Sequence, residues 1–109
     1  MKKNKISKDW VNKQRRDIYV RKSKLEGYRS RAIYKLKEID NKFKIIKNGI
    51  KIVDLGSAPG SWSQYLSEKS KNSMIMSIDL KEVDGIKNVN HLIGDFLDEQ
   101  NQIKINKEI

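Results

Sequence analysis

Three carboxylates and two glycines carry the chemistry that can be read from this sequence. Asp54, Asp79 and Asp95 each close or directly follow a short apolar run, and Gly56-Ser-Ala-Pro-Gly60 lies just after the first of them, followed by Trp62. Glycine lets a backbone take unusual dihedrals and come close to a ligand. A carboxylate at a strand end accepts hydrogen bonds from hydroxyls or amines and offers charge to a cation. The set suits a nucleoside-type ligand. A dinucleotide is a poor fit, because its pyrophosphate approaches the backbone at the central glycine of G-x-G-x-x-G, which this loop lacks. A P-loop nucleotide is excluded as well, since no Gly-Lys-Ser/Thr follows.

An adenosyl group bearing an amino-acid tail in place of phosphates fits better. Gly56 and Gly60 would shape the loop, while Asp54 would order it and place negative charge near a cationic ligand. Asp79, nineteen residues after Gly60, stands where a carboxylate meets ribose hydroxyls in related folds. Asp95 would accept from an adenine amino group, with Phe96 or Ile93 flanking the ring. Taken singly, each feature has a plainer reading: a tight turn, a strand-end acid, a helix cap. Their joint occurrence at strand ends is what gives them weight.

The elements that must position these groups follow from periodicity. Residues 50–55 read as a strand rich in Ile and Val after the Asn48-Gly49 turn, residues 73–79 as a second, and residues 90–93 as a third. Ser61-Trp-Ser-Gln64 has the spacing of a capping box and predicts a helix to about Lys69. Strand, helix, strand at this spacing implies parallel pairing with a right-handed crossover, the start of an open doubly wound sheet. Upstream, Ala32, Ile33, Leu36, Ile39 and Phe43 recur at three- and four-residue steps, the stripe of an amphipathic helix over residues 30–43, with Lys35 on its flank. Residues 1–27 read as a flexible tail and one basic helix, with Gly27 as its stop.

Composition bounds the possible functions. At 109 residues the chain suits one small domain. With no cysteine and one histidine, His91, thiolate and multi-histidine metal sites are excluded and no metal is expected. No apolar run approaches the roughly 20 residues of a membrane span, and no apolar segment follows the charged N-terminus, so a cytoplasmic protein is expected. The net charge of +10 is uneven: residues 1–52 carry 18 Lys/Arg against 5 Asp/Glu, or +13, and residues 53–109 carry 6 against 9, or −3. A basic half of that size favours a polyanion, with RNA or DNA ahead of a membrane. Arg15, Arg16, Arg21, Lys22, Lys24, Arg29 and Arg31 are candidate phosphate contacts, giving salt-dependent binding with little sequence readout. Tyr28 and Tyr34 are candidates for stacking on a base, although packing against a neighbouring helix is the commoner use of such residues.

The stretch VDLGSAPGSWSQYL, with GYRSRAIYKLKEID upstream, resembles the FtsJ-type ribosomal RNA 2′-O-methyltransferases, the large-subunit methyltransferase E family, from about Trp10 to Asp98. The resemblance implies an α/β, class I S-adenosylmethionine-dependent methyltransferase with a Rossmann-like fold. Residues 1–27 would form a basic RNA-facing tail and helix, and residues 28–109 the N-terminal half of the methyltransferase domain. The implied activity is methylation of a uridine ribose 2′-hydroxyl in 23S rRNA. By matching motif residues, Gly60 and Trp62 correspond to loop contacts of S-adenosylmethionine, Asp79 to the ribose-binding acid and Asp95 to the adenine-side acid. Lys35 matches the first lysine of a Lys-Asp-Lys-Glu catalytic tetrad.

The family's sequences continue past the equivalent of Ile109 with an Asp-Met-Ala-Pro-type motif, a second lysine and a glutamate. The expectation is therefore a fold truncated after its first three strands, with the strand at residues 50–55 as an unpaired, aggregation-prone edge. Ser61, where the family often has glycine, is expected to serve as an N-cap. Alternatives are a tRNA ribose 2′-O-methyltransferase, which shares both motifs, and a non-catalytic RNA-binding fragment. A nicotinamide oxidoreductase is disfavoured by the missing fingerprint.

Overall fold

A computed structural model describes residues 2–109, with side chains from residue 8 onward. The elements run α1 (Lys2–Glu26), α2 (Ile33–Phe43), β1 (Lys51–Leu55), α3 (Ser61–Lys69), β2 (Met74–Asp79), β3 (Val89–Ile93) and α4 (Glu99–Glu108). The three strands form one parallel sheet in the order β1-β2-β3, with Lys51 opposite Met74 and Ile75 opposite Val89. The doubly wound reading is thus met, with helices on both faces.

Helix α1 corrects the reading of a flexible tail: it is continuous from Lys2, because no glycine or proline interrupts residues 2–26 and the run is rich in good helix formers. It ends where expected. Gly27, at φ +81°, donates its N–H to the Lys24 carbonyl while Tyr28 donates to Ser23, the paired bonds of a Schellman stop that an L side chain would strain. From residue 8 on, Ser23 alone is buried on this helix, its hydroxyl bonded back to the Val20 carbonyl.

Helix α2 starts three residues later than the stripe predicts. Ile33 and Leu36 are buried, but Ala32 is exposed at the N-cap and Phe43 is exposed at the end. Leu66 and Tyr65 of α3 meet those two residues and Ile75 in one cluster, with Trp62, Tyr28 and Tyr34 packed beside it. Side chains alternate along a strand, so Met76 and Ile78 of β2 face the opposite side and pack against Ile105 of α4. That helix had no counterpart in the sequence reading: Ile103 and Ile105 alternate like strand residues, and the start is marked only by Asp98, whose carboxylate accepts from the Gln100 N–H.

Strand β1 has β2 on one side and no strand on the other among the described residues. Along that side runs an apolar groove of about 410 Å³, bounded by Ile45, Ile50, Ile52 and Leu55. No helix of the described residues is long and apolar enough to cross a membrane.

Candidate functional site

The carboxyl ends of β1 and β2 converge on the glycine loop. Gly56 and Ser57 both donate N–H groups to the Ile78 carbonyl, at 2.8 and 3.2 Å. Asp79 then divides its carboxylate: Oδ2 accepts from the Ala58 N–H at 3.0 Å and Oδ1 from the Lys81 N–H at 2.9 Å. These two backbone donors hold Asp79 below the usual carboxylate range. Asp54 is in the opposite situation. It is 7% exposed, and burial pushes its carboxyl up even though Ser63 Oγ donates to it at 2.7 Å. One acid therefore stands charged at the loop, and the other is sequestered beneath it.

Gly60 takes φ +114° at the N-cap of α3, and a Cβ there would fall 3.0 Å from Ile86 Cδ1 and 3.1 Å from both Val83 Cγ1 and Arg29 Nη1. The dihedral demands glycine, and a Cβ would in addition need those side-chain ends to give way. The expected capping box is not formed. Ser61 is the first helical residue, its hydroxyl bonds Ser30 Oγ at 2.8 Å, and Gln64 accepts from the Arg29 N–H at 2.8 Å. The left-handed Gly60 takes the N-cap and places the serine inside the helix, freeing both side chains to hold the segment after α1.

Beside the loop lies a pocket of about 220 Å³, walled by Asp54, the loop itself, Trp62, Ser30 and Ala32. That is below the roughly 300–1,000 Å³ of pockets for whole drug-sized ligands, so it has room for only part of such a ligand. Ser57, 6% exposed in its wall, has a buried hydroxyl without a hydrogen-bond partner among the described residues. Trp62 lines the pocket with its ring, while its indole N–H is committed to the Ala32 carbonyl at 2.8 Å.

Asp95 and Phe96 lie outside this pocket, past the end of β3. Gly94 donates its N–H to the Asp79 carbonyl at 2.9 Å, which places them beside the second acid. Asp95 is exposed, with Oδ1 accepting from the Leu97 N–H, and Phe96 is partly exposed. Lys35 is exposed on the first turn of α2, three residues beyond the pocket-lining Ala32.

The cationic candidates separate into two groups. Arg15, Arg16, Arg21 and Lys24 are exposed along α1, and Arg31 is exposed just before α2. Lys22 is also exposed, 3.8 Å from Glu26 and 4.9 Å above the Tyr34 ring. Arg29 departs from the expected phosphate contact: its guanidinium is bonded to backbone carbonyls of Pro59, Asp84 and Gly85. Both tyrosines pack against the core cluster, and Tyr34 also stacks on Tyr19 with centroids 5.3 Å apart.

Sequence reasoning missed Ser57 and Ser63, whose small polar side chains carry no periodic signal. It also missed the pairing of His91 Nδ1 with Ser77 Oγ at 2.6 Å, which parallel register alone brings together.

A parallel sheet with a glycine loop and carboxylates at its strand ends has the architecture of the doubly wound class, which binds ligands outside the carboxyl ends of its strands. The model of the FtsJ-like methyltransferases matches residues 28–109, and the chain belongs to that family. It is 59% identical over 105 residues to ribosomal RNA large subunit methyltransferase E of Pelagibacter ubique, covering 96% of this chain and 52% of that protein. It is 50% identical over 97 residues to the protein of the same name from Legionella pneumophila strain Corby, covering 88% of this chain and 47% of that one. The chain thus spans about half the length of the curated relatives it matches. A crystal structure described as a ribosomal RNA methyltransferase from Plasmodium falciparum superposes with a TM-score of 0.63 at 44% identity, over 67% of this chain and 41% of that one.

Proposed function

We propose that this chain carries the S-adenosylmethionine-binding half of an RNA ribose 2′-O-methyltransferase acting on a uridine of 23S rRNA in the large ribosomal subunit. The observation that carries the reading is the loop pocket with the charged Asp79 beside it. The orphaned hydroxyl of Ser57 supports it, since an unmet buried polar group costs free energy that a ligand atom can relieve. When bound, the cofactor supplies a sulfonium methyl group for transfer to a hydroxyl.

The roles of the chain's own residues follow from their positions. Gly56 and Gly60 bring the backbone close to the donor, and the Trp62 ring closes the pocket. Asp79 accepts from ribose hydroxyls with the lone pairs its two backbone donors leave free. Asp95 and Phe96 take the adenine side. Asp54 braces α3 through Ser63 and so holds the loop's far end. Lys35, the family-matching lysine, orients the RNA hydroxyl or stabilises the charge developing on its oxygen. Arg15, Arg16, Arg21, Lys22, Lys24 and Arg31 hold phosphates. The relatives' names favour ribosomal RNA over tRNA as the substrate class.

Calorimetric titration with S-adenosylmethionine tests the reading. Asp79→Ala is expected to weaken binding by at least about tenfold, the value of one hydrogen bond to a charged group. Unchanged affinity in that variant would overturn the site assignment.

A further inference from the structure

Arg29 belongs to the basic segment, yet its charge is used inside the protein. One guanidinium nitrogen donates to the carbonyls of Pro59 at 3.1 Å and Asp84 at 2.6 Å, and the other to Gly85 at 3.2 Å. Its own N–H is held by Gln64 of α3. The glycine loop and the turn that follows β2 are thus gripped by one planar group whose donors have fixed directions.

Asp79 joins the same two segments at a second point, since its oxygens take the N–H groups of Ala58 in the loop and Lys81 in the turn. The loop and the turn are therefore clasped twice, once by an anion reading N–H groups and once by a cation reading carbonyls. Val83 and Ile86 of the turn lie against Gly60, so the separation between loop and turn decides how the loop sits.

We propose that Arg29 is a positioning residue for the methyl donor, setting the spacing of the glycine loop and the 80–87 turn, and that it is not a phosphate contact. This rests on the donor reading given above. A phosphate contact needs only a positive charge, whereas the clasp needs the two-nitrogen fork. Lysine supplies the charge from a single point.

The test compares Arg29→Lys, Arg29→Ala and Arg31→Ala in the 109-residue chain, each first checked for folding by circular dichroism. Donor affinity is read by calorimetry with S-adenosylmethionine, RNA affinity by its salt dependence, and loop order by amide hydrogen exchange without ligand. Arg29→Lys is expected to weaken donor binding by about tenfold or more and to speed exchange at the Ala58 and Lys81 amides, while keeping the wild-type salt slope for RNA. Arg29→Ala is expected to show the same donor and exchange defects, and Arg31→Ala neither. If Arg29→Ala does not fold, the lysine variant decides. An Arg29→Lys protein with wild-type donor affinity and unchanged exchange overturns the clasp. Absence of donor binding by the unsubstituted chain overturns the donor reading instead, while exchange at the Ala58 and Lys81 amides still decides the clasp.

Discussion

Helix α1 and the glycine-loop side of the sheet are held in place by different means. From residue 8 onward the helix buries one side chain, Ser23, and presents most of its cations to solvent. Around the loop, by contrast, Ser61, Trp62 and Gln64 of α3 all reach back to residues 27–32, and Arg29 and Asp79 clasp the loop to the next turn. Attraction of a polyanion needs charge and little geometry. Recognition of a small ligand needs fixed donors and acceptors. On the proposed function these two tasks fall to different segments, and the charge asymmetry follows the same division.

The sharpest way to break this division is to neutralise the helix alone. Replacing Arg15, Arg16 and Arg21 with alanine is expected to weaken RNA binding at low salt by roughly a hundredfold or more and to reduce the salt slope by about three. Donor affinity should not change. A fluorescence anisotropy titration at several salt concentrations, run beside donor calorimetry, checks both. A matching fall in donor affinity would show that the two segments act as one.

A smaller effect separates the two acids beside the loop by pH. Asp79, held below the ordinary carboxylate value of about 3.9, contributes stability that is present above that value and lost as pH falls through its own lower one. Asp54, held above it, contributes stability that is present below the ordinary value and lost as pH rises through its own higher one. Urea midpoints measured across acidic pH should therefore show Asp79→Asn removing an acid-side loss. Asp54→Asn should remove an acid-side gain. Both variants bending the profile in the same sense would contradict the opposed environments.

The smallest effect concerns Ser57. Its buried hydroxyl has no partner, so Ser57→Ala should leave the ligand-free protein equally stable or more stable by up to about 1 kcal/mol. The same change should weaken donor binding. Thermal melts with and without S-adenosylmethionine separate the two, and a clear loss of stability without ligand would assign the hydroxyl a structural role.

Much of the frame was legible before any coordinates. The apolar runs ending at Leu55 and Asp79, the glycine loop and the α3 helix from Ser61 to Lys69 all stand where periodicity puts them, because burial on both faces of a parallel sheet leaves few other patterns. What stayed hidden was set by partners distant in sequence. Arg29 meets carbonyls 30, 55 and 56 residues away, and nothing local distinguishes it from Arg31. The capping box at Ser61 failed for a related reason, since Gly60 takes the N-cap and the Ser61 and Gln64 side chains bond Ser30 and Arg29, 31 and 35 residues away. Helix α4 was hidden because a helix that buries only Ile105 needs no full apolar stripe.

The length of α1 sets how far its outer cations stand from the glycine that ends the helix. Arg16 precedes Gly27 by eleven residues, about 16 Å along the helix axis, which is twice the roughly 8 Å over which charge is felt at physiological ionic strength. Charge neutralised at Arg15 and Arg16 is therefore largely screened at the Gly27 turn. Cross-talk from that part of the helix would then pass mechanically, through the residues that link Gly27 to Arg29 and through the contact of Tyr19 with Tyr34 of α2.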